Sequence, residues 1–134
     1  MEPLRIKSAR DGFELVLGPP EGKGREGSFP VHLTGPAMSA SVNAYEHEYH
    51  VLPRFFEELT KHWRGWDGEK TYESVESHVA MKATADRLGH VYLRVTVRSI
   101  DASADWRAEA TLLIEAGQLD RLATSARLTF DGDV

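Results

Sequence analysis

The sequence predicts a two-layer α+β fold: a mainly antiparallel sheet of about six to seven strands, one main helix packed on one face, and a short C-terminal helix. Around residue 55, apolar side chains recur at three- and four-residue spacings, as in a helix with one buried face. On both sides of that segment, short runs alternate apolar and polar side chains, as strands with one buried face do. Short turns join these runs, which favours antiparallel neighbours. Residues 1–134 are expected to form a single domain.

Four strands are expected before the helix, at residues 4–8, 13–17, 29–34 and 38–45. Asp11-Gly12, between the first two, is a typical hairpin turn. Pro30 has no N–H to donate to a neighbouring strand, so the third strand is predicted to lie at an edge of the sheet.

The main helix is predicted to begin near Pro53, because proline is well tolerated in a first helical turn. Its apolar stripe consists of Leu52, Phe55, Phe56, Leu59 and Trp63. Gly65 is expected to end the helix, since glycine readily adopts the left-handed conformation found after helix C-termini. We therefore expect Trp63 in the core, together with Trp106 from a later strand, and Trp66 as an exposed contact.

Three further strands are expected after the helix, within residues 75–82, 91–98 and 106–115. The predicted core consists of the Phe55–Trp63 helix and the apolar strand residues Val91, Leu93, Val95, Val97, Leu112 and Ile114. Beyond Gly117, a second helical pattern is formed by Leu119, Leu122, Ala123 and Ala126.

Composition excludes several classes of protein. The chain has no cysteine, so it has no disulfide, thiolate metal site or cysteine nucleophile. Its 41% hydrophobic and 28% charged residues are typical of a soluble globular domain. Because the N-terminus lacks a signal-peptide pattern and no apolar run reaches roughly 20 residues, we expect a cytoplasmic protein with no membrane segment.

The net charge is −5, and most of the excess lies in residues 46–76, where eight acids outnumber four bases. An acidic protein repels phosphate backbones, so no nucleic-acid partner is expected. These acids are a candidate docking surface, although a solvated helix face has the same composition.

Three motifs were considered as sites of chemistry. Gly22, Gly24 and Gly27 have dinucleotide-loop spacing, but a strand pattern follows them where that loop needs a helix, so we expect a plain loop and no cofactor. His47 and His50 are the best metal-ligand candidates, but on a strand they face opposite sides and lack completing ligands, so no metal is expected. No serine elbow is present, and no catalytic residue is assigned.

Four stretches carry a family resemblance: Phe-Phe-Glu-Glu-Leu at 55–59, Trp-Arg-Gly-Trp-Asp-Gly-Glu-Lys at 63–70, Leu-Gly-His-Val at 88–91 and Ala-Gly-Gln-Leu at 116–119. Together they resemble a family of small bacterial proteins of unknown function, over most of the chain after residue 50. The resemblance implies no activity, cofactor or catalytic residue. The predicted architecture is also similar, more weakly, to small immunity proteins that neutralise partner toxins, and fold alone does not imply function.

No complete catalytic, nucleotide or metal set is found, whereas an acidic segment flanks an aromatic helix exit. We therefore expect a non-catalytic protein-binding module, with a partner protein or a second copy of the chain bound to it, and an immunity role as one specific form. The candidate contact residues are Glu57, Glu58, Trp66, Asp67 and Glu69. The alternative is a small-ligand-binding protein or enzyme with a pocket between helix and sheet.

Overall fold

The strands form two sheets. The computed structural model describes residues 2–21, 26–101 and 103–131, and these residues contain eight strands and two α-helices. The first sheet consists of β1 (Leu4–Lys7), β2 (Glu14–Leu17), β3 (Gly27–Gly35) and β4 (Met38–Glu46). The second consists of β5 (Lys70–Glu73), β6 (Val79–Ala85), β7 (His90–Ser99) and β8 (Trp106–Glu115). In each sheet the strands pair antiparallel in chain order, so short turns connect neighbours.

Two helices pack against each other and against both sheets. They are α1 (Val51–Lys61), between β4 and β5, and α2 (Leu119–Asp131), which follows β8 after a short 3₁₀ turn. Helix α1 lies against β5, where the rings of Phe55 and Tyr72 are 6.2 Å apart. Helix α2 lies against the first sheet, where Phe130 meets Phe29 edge to face at 5.3 Å. Neither helix of the described residues is both long and apolar enough to cross a membrane.

The two sheets are joined at both of their edges. At one edge, the N–H of Val75, which follows β5, donates to the carbonyl of Tyr45 in β4 at 3.1 Å. At the other, the N–H of Ala9, just after β1, donates to the carbonyl of Leu113 in β8 at 2.8 Å. These contacts place the inner faces of both sheets around one shared core.

The core draws on every layer. Its fully buried side chains include Leu4, Ile6, Leu15, Leu17, Phe29, Val31 and Leu33 from the first sheet, and Val79, Met81, Leu93 and Val95 from the second. Phe56 and Leu59 of α1 and Ala126 of α2 complete it. The core residues predicted on β7 and β8 are confirmed, since Val91, Leu93, Val95, Val97, Leu112 and Ile114 are all buried.

The predicted layer arrangement is wrong. Instead of one sheet of six to seven strands with one main helix, the structure has two four-stranded sheets. The C-terminal helix is also not the short one, since it has 13 residues and α1 has 11. The alternation correctly shows that each strand has a buried face, but it carries no information on which strands share a sheet. Strand β5 was also missed, because Tyr72 is the one buried residue among its four, so no alternation of apolar side chains is visible in the sequence.

Strand β3 is also not the edge strand that Pro30 suggested, since it lies between β2 and β4. Its pairing with β2 ends at Val31, opposite Leu17. The carbonyl of Pro30 accepts a hydrogen bond from the N–H of Gly18, which lies just beyond the end of β2, at 2.9 Å. Proline is tolerated there because its missing N–H falls outside the β2–β3 ladder.

Candidate functional site

The segment that leaves α1, residues 62–69, is called the helix exit. Its turn is made at Gly65, whose N–H donates to the carbonyl of His62 at 2.8 Å and whose φ is +115°. A side chain there would also come within 3.3 Å of the Asp86 carbonyl, in the turn between β6 and β7. Glycine therefore lets the helix exit lie directly against that turn.

Two tryptophans of the helix exit have opposite roles. The Trp66 indole is half-buried and donates its Nε1–H to the carbonyl of Ala83 at 3.2 Å, which anchors the segment on β6. Trp63, in contrast, is 53% exposed, and the Arg64 guanidinium stacks on its ring at 5.0 Å. The expectation of a buried Trp63 is wrong because the helix ends at Lys61, so the helical register no longer applies at Trp63.

Trp106 is also not a core residue, since it is 36% exposed at the start of β8. In the alternation of side chains along β8, Trp106 falls on the inner face of the sheet, as predicted. The inner face of β8 is buried only from Leu112 onward, so the first residues of the strand extend beyond the core.

The predicted acidic residues divide into two groups. Glu57 lies 3.7 Å from Arg127 of α2, and Glu58 lies 3.5 Å from both Lys70 and the His62 ring. The basic side chains of Arg127 and Lys70 therefore offset the charges of these two acids. Sequence reasoning missed this because α2 and β5 supply two of the partners.

Asp67 and Glu69 form the second group. Both are exposed, and neither makes an ion pair with any residue in the described part of the chain. The nearby Lys70 lies instead over the Trp66 ring at 5.5 Å and pairs with Glu58. The unpaired negative charge of the helix exit is therefore carried by Asp67 and Glu69.

The β6–β7 turn forms the other wall of this surface. A depression of about 280 Å³ lies between it and the helix exit. Asp86 holds the turn by accepting hydrogen bonds from the N–H groups of Leu88 and His90, at 2.8 and 3.1 Å. The side chain of Leu88, at the tip, is 81% exposed. The helix exit and the β6–β7 turn thus each carry one exposed apolar side chain, Trp63 and Leu88 respectively.

The predicted metal candidates do not converge. His47 lies 3.8 Å from Glu26, and His50 lies 3.2 Å from Glu48, in two separate exposed or half-exposed pairs. Within residues 2–21, 26–101 and 103–131 no group of three or more potential ligands is found. That the protein carries no metal remains a prediction.

The glycine loop lies partly outside the described residues. Gly22 and Gly24 belong to that part of the chain, whereas Gly27 is the first residue of β3. The segment after the glycines is therefore a strand, as predicted, and offers no helix N-terminus to a pyrophosphate.

An open groove of about 400 Å³ lies between α1 and β5, where the alternative prediction expects a pocket. Phe55 and Tyr72 contribute apolar surface, and the Glu58–Lys70 pair lies on its wall. Three of its four charged side chains already have partners within the fold, since Glu58 pairs with Lys70 and Glu73 accepts a hydrogen bond from the Ser77 hydroxyl. Arg54, the fourth, makes no ion pair with any described residue.

Comparison with known proteins agrees with the sequence resemblance at the level of family. Residues 13–133 match the sequence profile of a family of unknown function. No curated protein matches the chain at a significant level.

Proposed function

The chain belongs to the family of unknown function DUF6228, and we propose that it is a non-catalytic, cytoplasmic protein-binding module whose contact surface is the helix exit. The observation that carries the proposal is Trp63, which leaves half of a large aromatic side chain in water. Tryptophan and arginine are the residues most enriched among those that dominate binding energy at interfaces. Here Arg64 is stacked on Trp63, so both groups are presented together.

The way in which the fold holds Trp63 and Arg64 in place also favours binding to a partner. Trp66 fixes the segment to β6 through its hydrogen bond to Ala83, and Gly65 seats it against the β6–β7 turn. A contact group held on a rigid scaffold loses less conformational entropy when it binds.

The charge of the surface indicates the chemistry of the partner. Asp67 and Glu69 are exposed and unpaired among the described residues, so they favour a partner with basic groups around an apolar pocket. A second copy of the chain bound through the same surface is disfavoured, because a two-fold contact would bring the same acids together. Neutralisation of a basic partner, as immunity proteins do, is the specific form of this function that we favour.

The test is a comparative capture from the native cell with three baits. They are the unchanged protein, Trp63→Ala, and a control, Leu128→Ala, which removes another exposed apolar side chain on α2. We expect one partner to be retained equally by the unchanged protein and by Leu128→Ala, and at least about tenfold less by Trp63→Ala, a loss of roughly 1.4 kcal/mol.

The charge contribution is tested on the captured partner. Reversal of both acids, Asp67→Lys with Glu69→Lys, should slow association, and the effect should be larger at low salt than at high salt. Equal retention by all three baits, or co-purification of a metabolite and no protein, would overturn the proposal.

A further inference from the structure

A second surface lies along β4, where the two sheets approach each other. It is a cleft of about 430 Å³, within the range of roughly 300–1,000 Å³ that small-ligand sites occupy. We call it the inter-sheet cleft, because β3 and β4 of the first sheet and the ends of β6, β7 and β8 of the second contribute to it. Its lining residues are Pro30, His32, Ser41, Val42, Asn43, His78, Ser99 and Trp106.

The β3–β4 side of the cleft offers hydrogen-bonding groups in a fixed arrangement. His32 lies directly opposite Ser41 in the strand register, and its Nδ1 is 2.7 Å from the Ser41 hydroxyl. Asn43, two residues farther along β4, points to the same face and is exposed. The strand ladder therefore holds an imidazole, a hydroxyl and an amide on one face of β3 and β4, in position to contact hydroxyl groups.

His78 supplies the second wall and is held at a cost in stability. Its Nδ1 is buried and has no hydrogen-bond partner among the described residues. The two residues before it, Glu76 and Ser77, have left-handed φ values of +68° and +61°, which residues with side chains rarely adopt. Arg98 secures this conformation, because its Nε–H donates to the Ser77 carbonyl at 2.9 Å. Strained backbone of this kind concentrates at functional sites.

Trp106 gives the cleft one flat apolar surface. Its indole is 36% exposed, beyond the buried part of β8. No aspartate, glutamate, lysine or arginine is among the lining residues of the cleft. The site therefore combines hydroxyl, amide and imidazole groups with an aromatic face, and it offers no carboxylate, ammonium or guanidinium group to a charged ligand.

From this combination, we propose that the inter-sheet cleft binds a neutral sugar ring. A pyranose has hydroxyl groups at its rim and a face of C–H groups, which fits an aromatic plane beside uncharged polar side chains. The C–H face packs on Trp106, and the hydroxyl groups bond to Ser41, Asn43 and the free side of His32. This site is separate from the helix exit, so it and the proposed protein contact stand or fall independently.

The test is NMR titration of the full chain with glucose, galactose, mannose and N-acetylglucosamine, each to about 50 mM, with glucuronate as the charged comparison. We expect one neutral sugar to shift the amide signals of β3, β4 and the start of β8. Trp106→Ala and Asn43→Ala should each raise the dissociation constant by about tenfold. Leu128→Ala, which removes an exposed apolar side chain of α2 that does not line the cleft, should leave it unchanged.

Asn43→Ala keeps the test interpretable if Trp106→Ala fails to fold, because Asn43 is exposed and removing its amide creates no cavity. The proposal is overturned if no neutral sugar shifts the cleft signals at the highest concentration. It is equally overturned if glucuronate binds more tightly than the neutral sugars, or if both cleft variants bind as the unchanged protein does.

Discussion

A single carboxylate organises the turn that supports the helix exit. Asp86 accepts the backbone hydrogen bonds of the β6–β7 turn and lies 2.9 Å from the Nδ1 of His90. Partial burial acts to raise the pKa of Asp86, but the hydrogen bonds from His90 and from the backbone outweigh it and lower the pKa to about 2. In return, the hydrogen bond to Asp86, with the charges of Asp86 and Glu115, raises the pKa of His90 above its ordinary value.

These shifts predict a pH dependence of stability. Because the folded state binds the His90 proton more tightly than the unfolded state, the stabilisation is complete below the ordinary histidine pKa of about 6.5 and declines as the pH rises through the raised pKa. In Asp86→Asn the pKa of His90, followed by NMR, should fall and this decline should shrink. Asp101→Asn is the matched control, since Asp101 caps a different turn through the N–H of Ser103 at 2.9 Å. An unchanged His90 titration in Asp86→Asn would contradict the assignment.

At the scale of elements, a buried polar pair ties the two sheets together. The hydroxyl of Tyr72 in β5 donates to the carboxylate of Glu46 at the end of β4, and the two residues are only 4% and 5% exposed. Burial raises the pKa of Glu46, although the hydrogen bond from Tyr72 acts to lower it. Burial, together with the neighbouring carboxylate, likewise raises the pKa of Tyr72. Among the described residues neither group has another side-chain hydrogen-bond partner, so each depends on the other.

Removal of the hydroxyl should reveal this dependence. Tyr72→Phe leaves a buried carboxylate without its side-chain donor, and we expect a loss of about 1–3 kcal/mol in the free energy of unfolding. Without this donor, the pKa of Glu46 should rise further. Between the ordinary carboxyl pKa and this raised pKa, the folded state keeps a proton that the unfolded state has released. The loss of stability should therefore increase as the pH rises through that range.

Tyr45→Phe provides the control for that change, because it removes a tyrosine–glutamate hydrogen bond of 2.8 Å that is exposed. Its cost should stay within about 0.5 kcal/mol. Denaturant unfolding at several pH values measures both variants. If both variants lose the same free energy of unfolding, the buried Tyr72–Glu46 pair stabilises the protein no more than an exposed pair does, which would contradict the prediction.

At the scale of the whole molecule, the shared core predicts one cooperative unit. Both sheets contribute fully buried side chains to it, and backbone hydrogen bonds join the sheets at both edges. The two helices also connect the sheets, because α1 packs against β5 of the second sheet, α2 packs against β1 of the first, and the helices pack against each other. Loss of either sheet would expose the inner face of the other.

We therefore expect the single domain to unfold in one transition. Native-state hydrogen exchange should give the same free energy of opening for the slowest amides of β3 and β7, one interior strand from each sheet. The exposed turn amides serve as the comparison and should exchange by local opening. A difference of more than about 2 kcal/mol between β3 and β7 would instead indicate two units that unfold separately.

Local patterns in the sequence were sufficient for most individual elements. The helical spacing of Leu52, Phe56 and Leu59 predicts α1, and the alternation of residues 91–98 predicts β7, because both periods follow from backbone geometry alone. Asp11-Gly12 predicts the first hairpin, where the Asp11 carboxylate accepts the N–H of Phe13 at 3.1 Å. The absence of cysteine excludes a class of chemistry without any structure.

Tertiary structure alone decided how those elements combine and which groups remain free. The division into two sheets depends on whether β4 and β5, the strands on either side of α1, pair within one sheet, and side-chain alternation carries no information on that. The exposure of Trp63 depends on where α1 ends, and the pairing of Glu57 with Arg127 depends on a helix seventy residues farther along the chain. The inter-sheet cleft likewise unites His32 with His78 and Trp106. Periodicity reports the face a residue occupies, whereas a site depends on which faces meet, and only the packed chain determines that.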